Sequence, residues 1–315
     1  MRGRENVALL LLAAVLFATV NTLATVRPAK AERLLARPAW AVKGETPSRP
    51  VPAPTPPAFG GDWMASHPAP TLGLLAQSAI VVDPDMGQTL WANDASSRRA
   101  PASLTKMMTV LVALDHVSLD HLVTVSPEAA DTSPYWTAMG VSPGEQLRVR
   151  ELLYGIFLVS GNDAAETLAT GIEPRDQFIA EMNAKAAALG LHDTHFTNPT
   201  GLDQDGLYST AYDLAVIAAE LWNRYPEVMA IASAGSIDLP ANGLHKDFHL
   251  VTLNSLMLWG YPGANGLKTG YTWSAGGCLA GTAQRGGKRL ISIVLNSAVL
   301  FTDATLLLDY GFSAS

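Results

Sequence analysis

Strand patterning occurs at two distant places in this chain, and helical patterning fills the space between them. Near one end, Ser78-Ala79-Ile80-Val81-Val82-Asp83 and Gln88-Thr89-Leu90-Trp91-Ala92 read as strands, with Pro84-Asp85-Met86-Gly87 as the turn of a hairpin. Near the other end, Gly266 to Trp273, Gly277 to Gln284 and Arg289 to Asn296 read as three more, with Gly286-Gly287 as a tight turn. Between the two groups, Val149 to Val159 and Asp163 to Thr170 are apolar at helical spacing. Arg175 to Leu189 ends at Gly190, a residue suited to the position after a helix. Thr210 to Trp222 follows Ser209, read as its N-cap. Asp303 to Tyr310 is expected as a closing helix. The order β-β, helices, β-β-β, α predicts one antiparallel sheet with a helical insertion, an α+β layering.

The N-terminal part has a different character. Arg2 and Arg4 precede an apolar run from Val7 to Val20, the pattern of a secretory signal, with Ala29-Lys30-Ala31 as a cleavage site. Continued through Val26, the run reaches the ~20 residues that span a bilayer. Residues 1–31 are therefore expected to be a signal peptide or an N-terminal membrane anchor. Arg27, Lys30, Arg33 and Arg37 outnumber Arg2 and Arg4, which by the positive-inside bias opposes translocation of that side. Six prolines from Pro47 to Pro57 make an extended spacer of roughly 35 Å at ~3.1 Å per residue. Residues 32–70 are read as linker and 71–315 as the folded domain. Residues 1–60 hold eight Lys/Arg against three Asp/Glu, yet the whole chain carries −7. The acidic remainder argues against a nucleic-acid partner. Cys278 is the single cysteine, so no intrachain disulfide forms. It reads as a small buried hydrophobe.

Three short stretches carry chemistry. Ser103 and Lys106 head an apolar run, Met107 to Leu114, and on a helix residues three apart share a face. Serine is a poor nucleophile without a base beside it, and lysine becomes a base when burial disfavours its charged form. Ser160-Gly161-Asn162 sits at the junction of two helical runs, where a turn can aim a hydroxyl and an amide into a cleft. Lys268-Thr269-Gly270 lies on a strand, with Lys268 and Gly270 pointing one way and Thr269 the other. Gly270 is expected to let a substrate backbone lie close to that strand.

Ser-x-x-Lys, Ser-x-Asn and Lys-Thr-Gly in this order form the signature set of penicillin-binding proteins and serine β-lactamases. From about Ser78 to Phe312 the chain resembles the serine D-alanyl-D-alanine carboxypeptidases, the low-molecular-weight penicillin-binding proteins. Ser160-Gly161-Asn162-Asp163-Ala164-Ala165, Met182-Asn183-Ala184-Lys185-Ala186, Phe196-Thr197-Asn198-Pro199-Thr200-Gly201-Leu202 and Asp309-Tyr310-Gly311-Phe312 add to the likeness. The resemblance implies an α+β fold with a five-stranded antiparallel sheet, helices on both faces and an inserted helical subdomain. It implies that Ser103 attacks the D-Ala-D-Ala peptide bond and forms an acyl-enzyme. Lys106, kept neutral by burial and by Lys268, takes its proton, and Ser160 relays a proton to the leaving amine. Asn162 holds a substrate amide and positions Lys106. The backbone N–H groups of Ser103 and Tyr271 form the oxyanion hole. Lys268, Thr269 and Thr272 bind the terminal carboxylate, beside Gly270. The partners implied are peptidoglycan stem peptides and, as covalent inhibitors, β-lactams, with no metal or organic cofactor. The location implied is extracytoplasmic, with membrane contact through the N-terminus.

Two departures from the family pattern bear on activity. No glutamate occurs between Glu181 and Glu220, where class A β-lactamases place the residue that hydrolyses the acyl-enzyme. Leu300-Phe301-Thr302-Asp303 has leucine where carboxypeptidases of this group often have arginine. The missing glutamate weighs against a β-lactamase-like hydrolase, and the missing arginine opens the way to a DD-endopeptidase; these two, and a non-catalytic penicillin-sensing wall-binding protein, are the alternatives. The family's frequent C-terminal β-domain is not expected after Phe312. His192 and His195 lack a third ligand and a glutamate base for zinc. Asp203-Gln204-Asp205-Gly206 lacks the distal glutamate of a calcium loop. Tyr135 and Trp136, beside Pro134, read equally as cleft residues or as the anchor of a structural loop.

Overall fold

The computed structural model describes residues 56–131 and 137–314. The N-terminal apolar run, most of the proline-rich spacer, Tyr135 and Trp136 lie outside the described residues. Among those described, no helix is long and apolar enough to cross a membrane.

Five strands make the main sheet: β1 (Ser78–Asp83), β2 (Gln88–Asn93), β7 (Ala264–Thr272), β8 (Gly276–Arg285) and β9 (Lys288–Ser297). Their order is β2-β1-β9-β8-β7, and every neighbouring pair is antiparallel. The N-terminal hairpin thus docks on β9, and β7 is left at an edge. Every residue of β1 is buried, because both faces of the sheet are covered. Side chains alternate across a strand. Ala79 and Val81 join Leu290, Val294, Ala304, Leu307 and Leu308 under the closing helix, Leu300–Ala314. Ile80 and Val82 join Ile291, Ile293 and Leu295 on the opposite face, with Ala211, Leu214 and Ala218 of the helix Ala211–Arg224. The two-layer cover predicted for the sheet is the one observed.

The insertion between β2 and β7 is mostly helical. Its principal helices are Lys106–His116, Val149–Phe157, Asn162–Ile172, Arg175–Ala188 and Ala211–Arg224. Two small two-stranded sheets also occur there, which the sequence reading did not include. They are β3 (Leu122–Thr124) with β4 (Gln146–Arg148), and β5 (Ser236–Leu239) with β6 (Phe248–Val251). Strands this short show too few alternations to register as a pattern.

Several boundaries differ from expectation; the closing helix, for one, runs Leu300–Ala314. The cap of Ala211–Arg224 is Thr210, whose Oγ1 accepts from the backbone N–H of Asp213, not Ser209. The packed unit also begins before residue 71. Phe59 is buried and its N–H donates to the Tyr212 hydroxyl, Gly60 bridges Gln88, and the Trp91 indole N–H donates to the Pro70 carbonyl. Part of the stretch read as linker is thus packed against the sheet.

Candidate active site

Ser103 sits in a 3-10 turn, Ala102–Thr105, that runs directly into the α-helix Lys106–His116. In a 3-10 turn side chains three apart eclipse one another, so the serine and lysine meet more closely than on an α-helix. Lys106 Nζ donates to Ser103 Oγ at 2.8 Å. The turn is entered through Ala102 at φ 48, a left-handed conformation that an L-residue adopts only at a cost. Gly201, at φ 82, packs against this turn. A Cβ on Gly201 would stand 1.9 Å from the Ala102 carbonyl oxygen, so only glycine fits.

The helix from Lys106 is buried through Ala113, and the lysine amine is buried with it. Nζ makes two further contacts, donating to Asn162 Oδ1 at 2.7 Å and to the Thr200 carbonyl at 2.8 Å. Both of these partners accept only. An ammonium uses all three N–H groups on its neighbours; a neutral amine keeps two for the carbonyl oxygens and turns its lone pair to the Ser103 hydroxyl. Burial brings the Lys106 pKa down to about 7, against the opposing pull of Asp163 and Glu166. The neutral base is thus accessible near neutral pH. Lys268 was expected to share in this effect. The repulsion between the two amines is mutual, and burial first, then the charge of Lys106, hold Lys268 well below the ordinary lysine value.

Ser160 and Lys268 form a second pair across the cleft. Lys268, on β7, is fully buried, and its Nζ donates to Ser160 Oγ at 2.8 Å and to the Thr269 carbonyl at 2.6 Å. Ser160 lies at φ 59 in the turn between the helices Val149–Phe157 and Asn162–Ile172. The turn is held from outside. Thr137 Oγ1 donates to the Ser160 carbonyl at 2.8 Å, and the Asn162 N–H donates to the Thr137 carbonyl at 2.9 Å. Asp163 is buried and accepts four backbone N–H groups, those of Met139, Gly140, Val141 and Ala164.

The structure thus brings Ser103, Lys106, Ser160, Asn162 and Lys268 into two hydrogen-bonded groups, joined by the chain turn from Ser160 to Asn162. It changes the reading of two other residues. The space over Gly270 is filled by protein: an added Cβ would meet Leu104 Cδ1 and Ser103 N at 3.0 Å and Ala102 Cβ at 3.1 Å. Gly270 therefore lets β7 approach the Ser103 turn, not a substrate. The Thr272 hydroxyl does not face the cleft as a free donor; it is buried and donates to Asp203 Oδ1 at 2.6 Å. The Ser274 N–H reaches the other oxygen of Asp203 at 3.3 Å. Thr272 is thus a latch for the end of β7. Thr269 is half-buried, and Tyr271 is 58% exposed beside Trp273.

Asn198 and Thr200 are the residues that motif reading gave no role. Asn198 Oδ1 accepts from Thr200 N, Thr200 Oγ1 and Gly201 N, which fixes the Thr200 carbonyl on Lys106. Thr109 Oγ1 ties the same loop down through the Pro199 carbonyl at 2.7 Å. The only sequence signal was the Asn-Pro-Thr-Gly turn itself. Elsewhere, the His195 Nδ1–H donates to the Gly206 carbonyl at 2.8 Å, and Gln204 Oε1 accepts from Asn198 Nδ2 at 3.0 Å.

The contact over Gly270 yields a prediction. Gly270→Ala forces β7 and the Ser103 turn apart by a few tenths of an ångström. Overpacking of this kind costs about 1–3 kcal/mol. A lower melting temperature together with slower acylation of Ser103 is the expected result; a variant unchanged in both would show that the contact is loose.

The matches to known proteins cover the same part of the chain. The family described as D-alanyl-D-alanine carboxypeptidase, Peptidase_S11, matches residues 64–299. The chain is 38% identical over 247 residues to the D-alanyl-D-alanine carboxypeptidase DacF of Bacillus subtilis, covering 76% of this chain and 62% of that protein. It is 41% identical over 247 residues to DacB2 of Mycobacterium tuberculosis, covering 76% of this chain and 82% of that one. Among solved structures, a D-alanyl-D-alanine carboxypeptidase from Mycobacterium tuberculosis superposes with a TM-score of 0.71 at 38% identity, over 78% of this chain and 93% of the other. A Streptomyces DD-transpeptidase gives 0.70 at 32% identity, over 78% of this chain and 100% of the other. A family match over most of the chain, relatives at this identity and a shared fold lead to one conclusion: the chain belongs to the D-alanyl-D-alanine carboxypeptidase family, Peptidase_S11.

Proposed function

We propose that this protein is a serine DD-peptidase that removes the terminal D-alanine from peptidoglycan stem peptides through an acyl-enzyme on Ser103, and that β-lactams trap it at that stage. The observation that carries this reading is the 2.8 Å contact between the Ser103 hydroxyl and an amine whose other two partners are carbonyl oxygens. In the proposed reaction the Lys106 lone pair takes the hydroxyl proton as Ser103 Oγ attacks the carbonyl carbon. The C–N bond then breaks, and the leaving amine receives a proton through Ser160, whose hydroxyl is already held by Lys268. The substrate would lie along β7. At a sheet edge alternate backbone groups face outward and can pair with an extended peptide. The N–H groups of Ser103 and Tyr271 would hold the oxyanion, and loss of one such donor costs ~10²–10³ in rate. Asn162 would bind a substrate amide as well as Lys106. Lys268 and Thr269 would receive the terminal carboxylate, with Thr272 behind them. Water then attacks the ester carbonyl and frees Ser103.

The loop closing on Lys106 presents the Thr200 carbonyl, and no glutamate lies between Glu181 and Glu220. Slow deacylation of bound penicillin follows from this reading, in preference to β-lactam turnover. An exported protein is proposed because the substrate is outside the cytoplasm and the N-terminal sequence has the charge and apolar pattern of an export signal.

Fluorescent penicillin is expected to label the folded protein covalently at Ser103, with Ser103→Ala unlabelled. Incubation with pentapeptide muropeptides is expected to release free D-alanine, seen by mass spectrometry as loss of the terminal residue. Labelling without release would leave a penicillin-binding protein of another activity, and absence of both would end the proposal.

A further inference from the structure

Far from Ser103, three helices bring together side chains that no motif links. His116 is the last residue of Lys106–His116, about 15 Å along the helix from Lys106. Glu173 caps the C-terminal end of Asn162–Ile172, and Glu181 projects from Arg175–Ala188. His116 Nε2 lies 2.5 Å from Glu181 Oε2, and His116 Nδ1 lies 3.8 Å from Glu173 Oε1. One donor atom from each residue falls within 4.8 Å of the other two.

The charge balance at this place favours a cation. Two carboxylates face one imidazole, and two helix C-termini, each carrying partial negative charge, end there. An imidazolium alone does not complete the cluster. It bonds Glu181, but 3.8 Å is too far for a hydrogen bond to Glu173. Glu173 Oε2 is buried and has no hydrogen-bond partner, a state that ordinarily costs stability.

We propose that His116, Glu173 and Glu181 form a binding site for one divalent transition-metal ion of the Zn2+ class. One imidazole nitrogen and two carboxylate oxygens are a donor set for zinc, with remaining positions taken by water. Mg2+ and Ca2+ prefer oxygen ligands only and would not use the imidazole. Zinc bonds of about 2.0–2.2 Å set ligand atoms roughly 3.4 Å apart in a tetrahedron, so the His116–Glu181 contact must open. The two side chains are 34% and 32% exposed and have room to do so. Glu173 would supply its ligand through Oε1, the oxygen that lies nearer His116. At this distance from Ser103 the ion is structural. It clamps the helix carrying Lys106 to the helix that begins at Asn162, and so stabilises the frame of the catalytic groups.

The test is titration of the full chain with ZnCl2, and separately with MgCl2, followed by calorimetry and thermal melting. The expected result is one Zn2+ per chain and a melting temperature raised by about 3 °C at a tenfold excess over Kd. His116→Ala, Glu173→Gln and Glu181→Gln should each weaken binding at least tenfold. Glu181→Gln, on a third-exposed side chain, keeps the comparison valid if the other two fold poorly. Co2+ in place of zinc should give a visible ligand-field band that His116→Ala removes. No Zn2+ binding, equal stabilisation by Mg2+, or unchanged zinc affinity in Glu181→Gln would overturn the proposal.

Discussion

Lys106→Met is expected to slow penicillin acylation by about 10³-fold or more and to leave the protein folded. General-base assistance is worth ~10²–10⁴, and this base has no evident substitute. The other amine of the cleft, Lys268, is bonded to Ser160 and the Thr269 carbonyl. Methionine fills nearly the same space and needs no hydrogen bonds. Its stability effect is a balance. Asn162 Oδ1 and the Thr200 carbonyl lose a donor, at about 1–3 kcal/mol each. Against that, a fully buried amine no longer has to be desolvated. A melting temperature within a few degrees of the parent is therefore expected. The pH dependence has a definite sign. In the proposed mechanism the active base is the neutral amine, and burial brings its pKa down to about 7. Acylation by the parent protein should rise as pH increases through 7 and level off above it, and Lys106→Met should lose this inflection. Stopped-flow acylation across that range decides the matter. Parent-like labelling by the variant would remove Lys106 from the mechanism.

The parts of this arrangement that were legible in the sequence are those set by local pattern. The β1–β2 hairpin alternates and carries its own turn residues, and Ser103 and Lys106 announce themselves by spacing and by the apolar helix behind them. Resemblance then supplied the grouping of three motifs far apart in the chain. What could not be read depends on which backbone meets which. The Thr200 carbonyl carries no side-chain signal, yet it supplies one of the three contacts of Lys106. Thr272 matched a family position, but Asp203 took its hydroxyl from a loop distant in sequence. Gly270 looked like room for a ligand, although the Ser103 turn occupies that room. His116, Glu173 and Glu181 come from three helices and have no spacing that metal-site arithmetic would detect. In each case the residue type limited what was feasible, and long-range packing chose among the options.

Asp163→Ala should be the most destabilising single change near the cleft. Its side chain is buried, and both oxygens are used. Oδ1 accepts from Met139 N at 2.7 Å and Ala164 N at 2.8 Å; Oδ2 accepts from Gly140 N at 2.6 Å and Val141 N at 3.1 Å. Alanine leaves four N–H groups without that acceptor. A buried donor left unmade costs about 1–3 kcal/mol, and water entering the vacated space recovers part of it. A net loss of about 4 kcal/mol lowers the melting temperature by roughly 10 °C in a domain of this size. Asparagine should be nearly as harmful, because its NH2 group would face N–H donors. The damage also reaches the chemistry by two routes. The segment from Thr137 to Val141 braces Ser160 and Asn162, so its release loosens both. The Asp163 charge also pulls the Lys106 pKa upward against burial. Without it the ammonium is less favoured, the pKa falls, and the acylation inflection moves to lower pH. Calorimetry and a pH–rate profile of Asp163→Ala at low temperature, where it stays folded, measure the two effects separately. A melting shift under about 3 °C would refute the bracing role, and an inflection moved to higher pH would refute the electrostatic one.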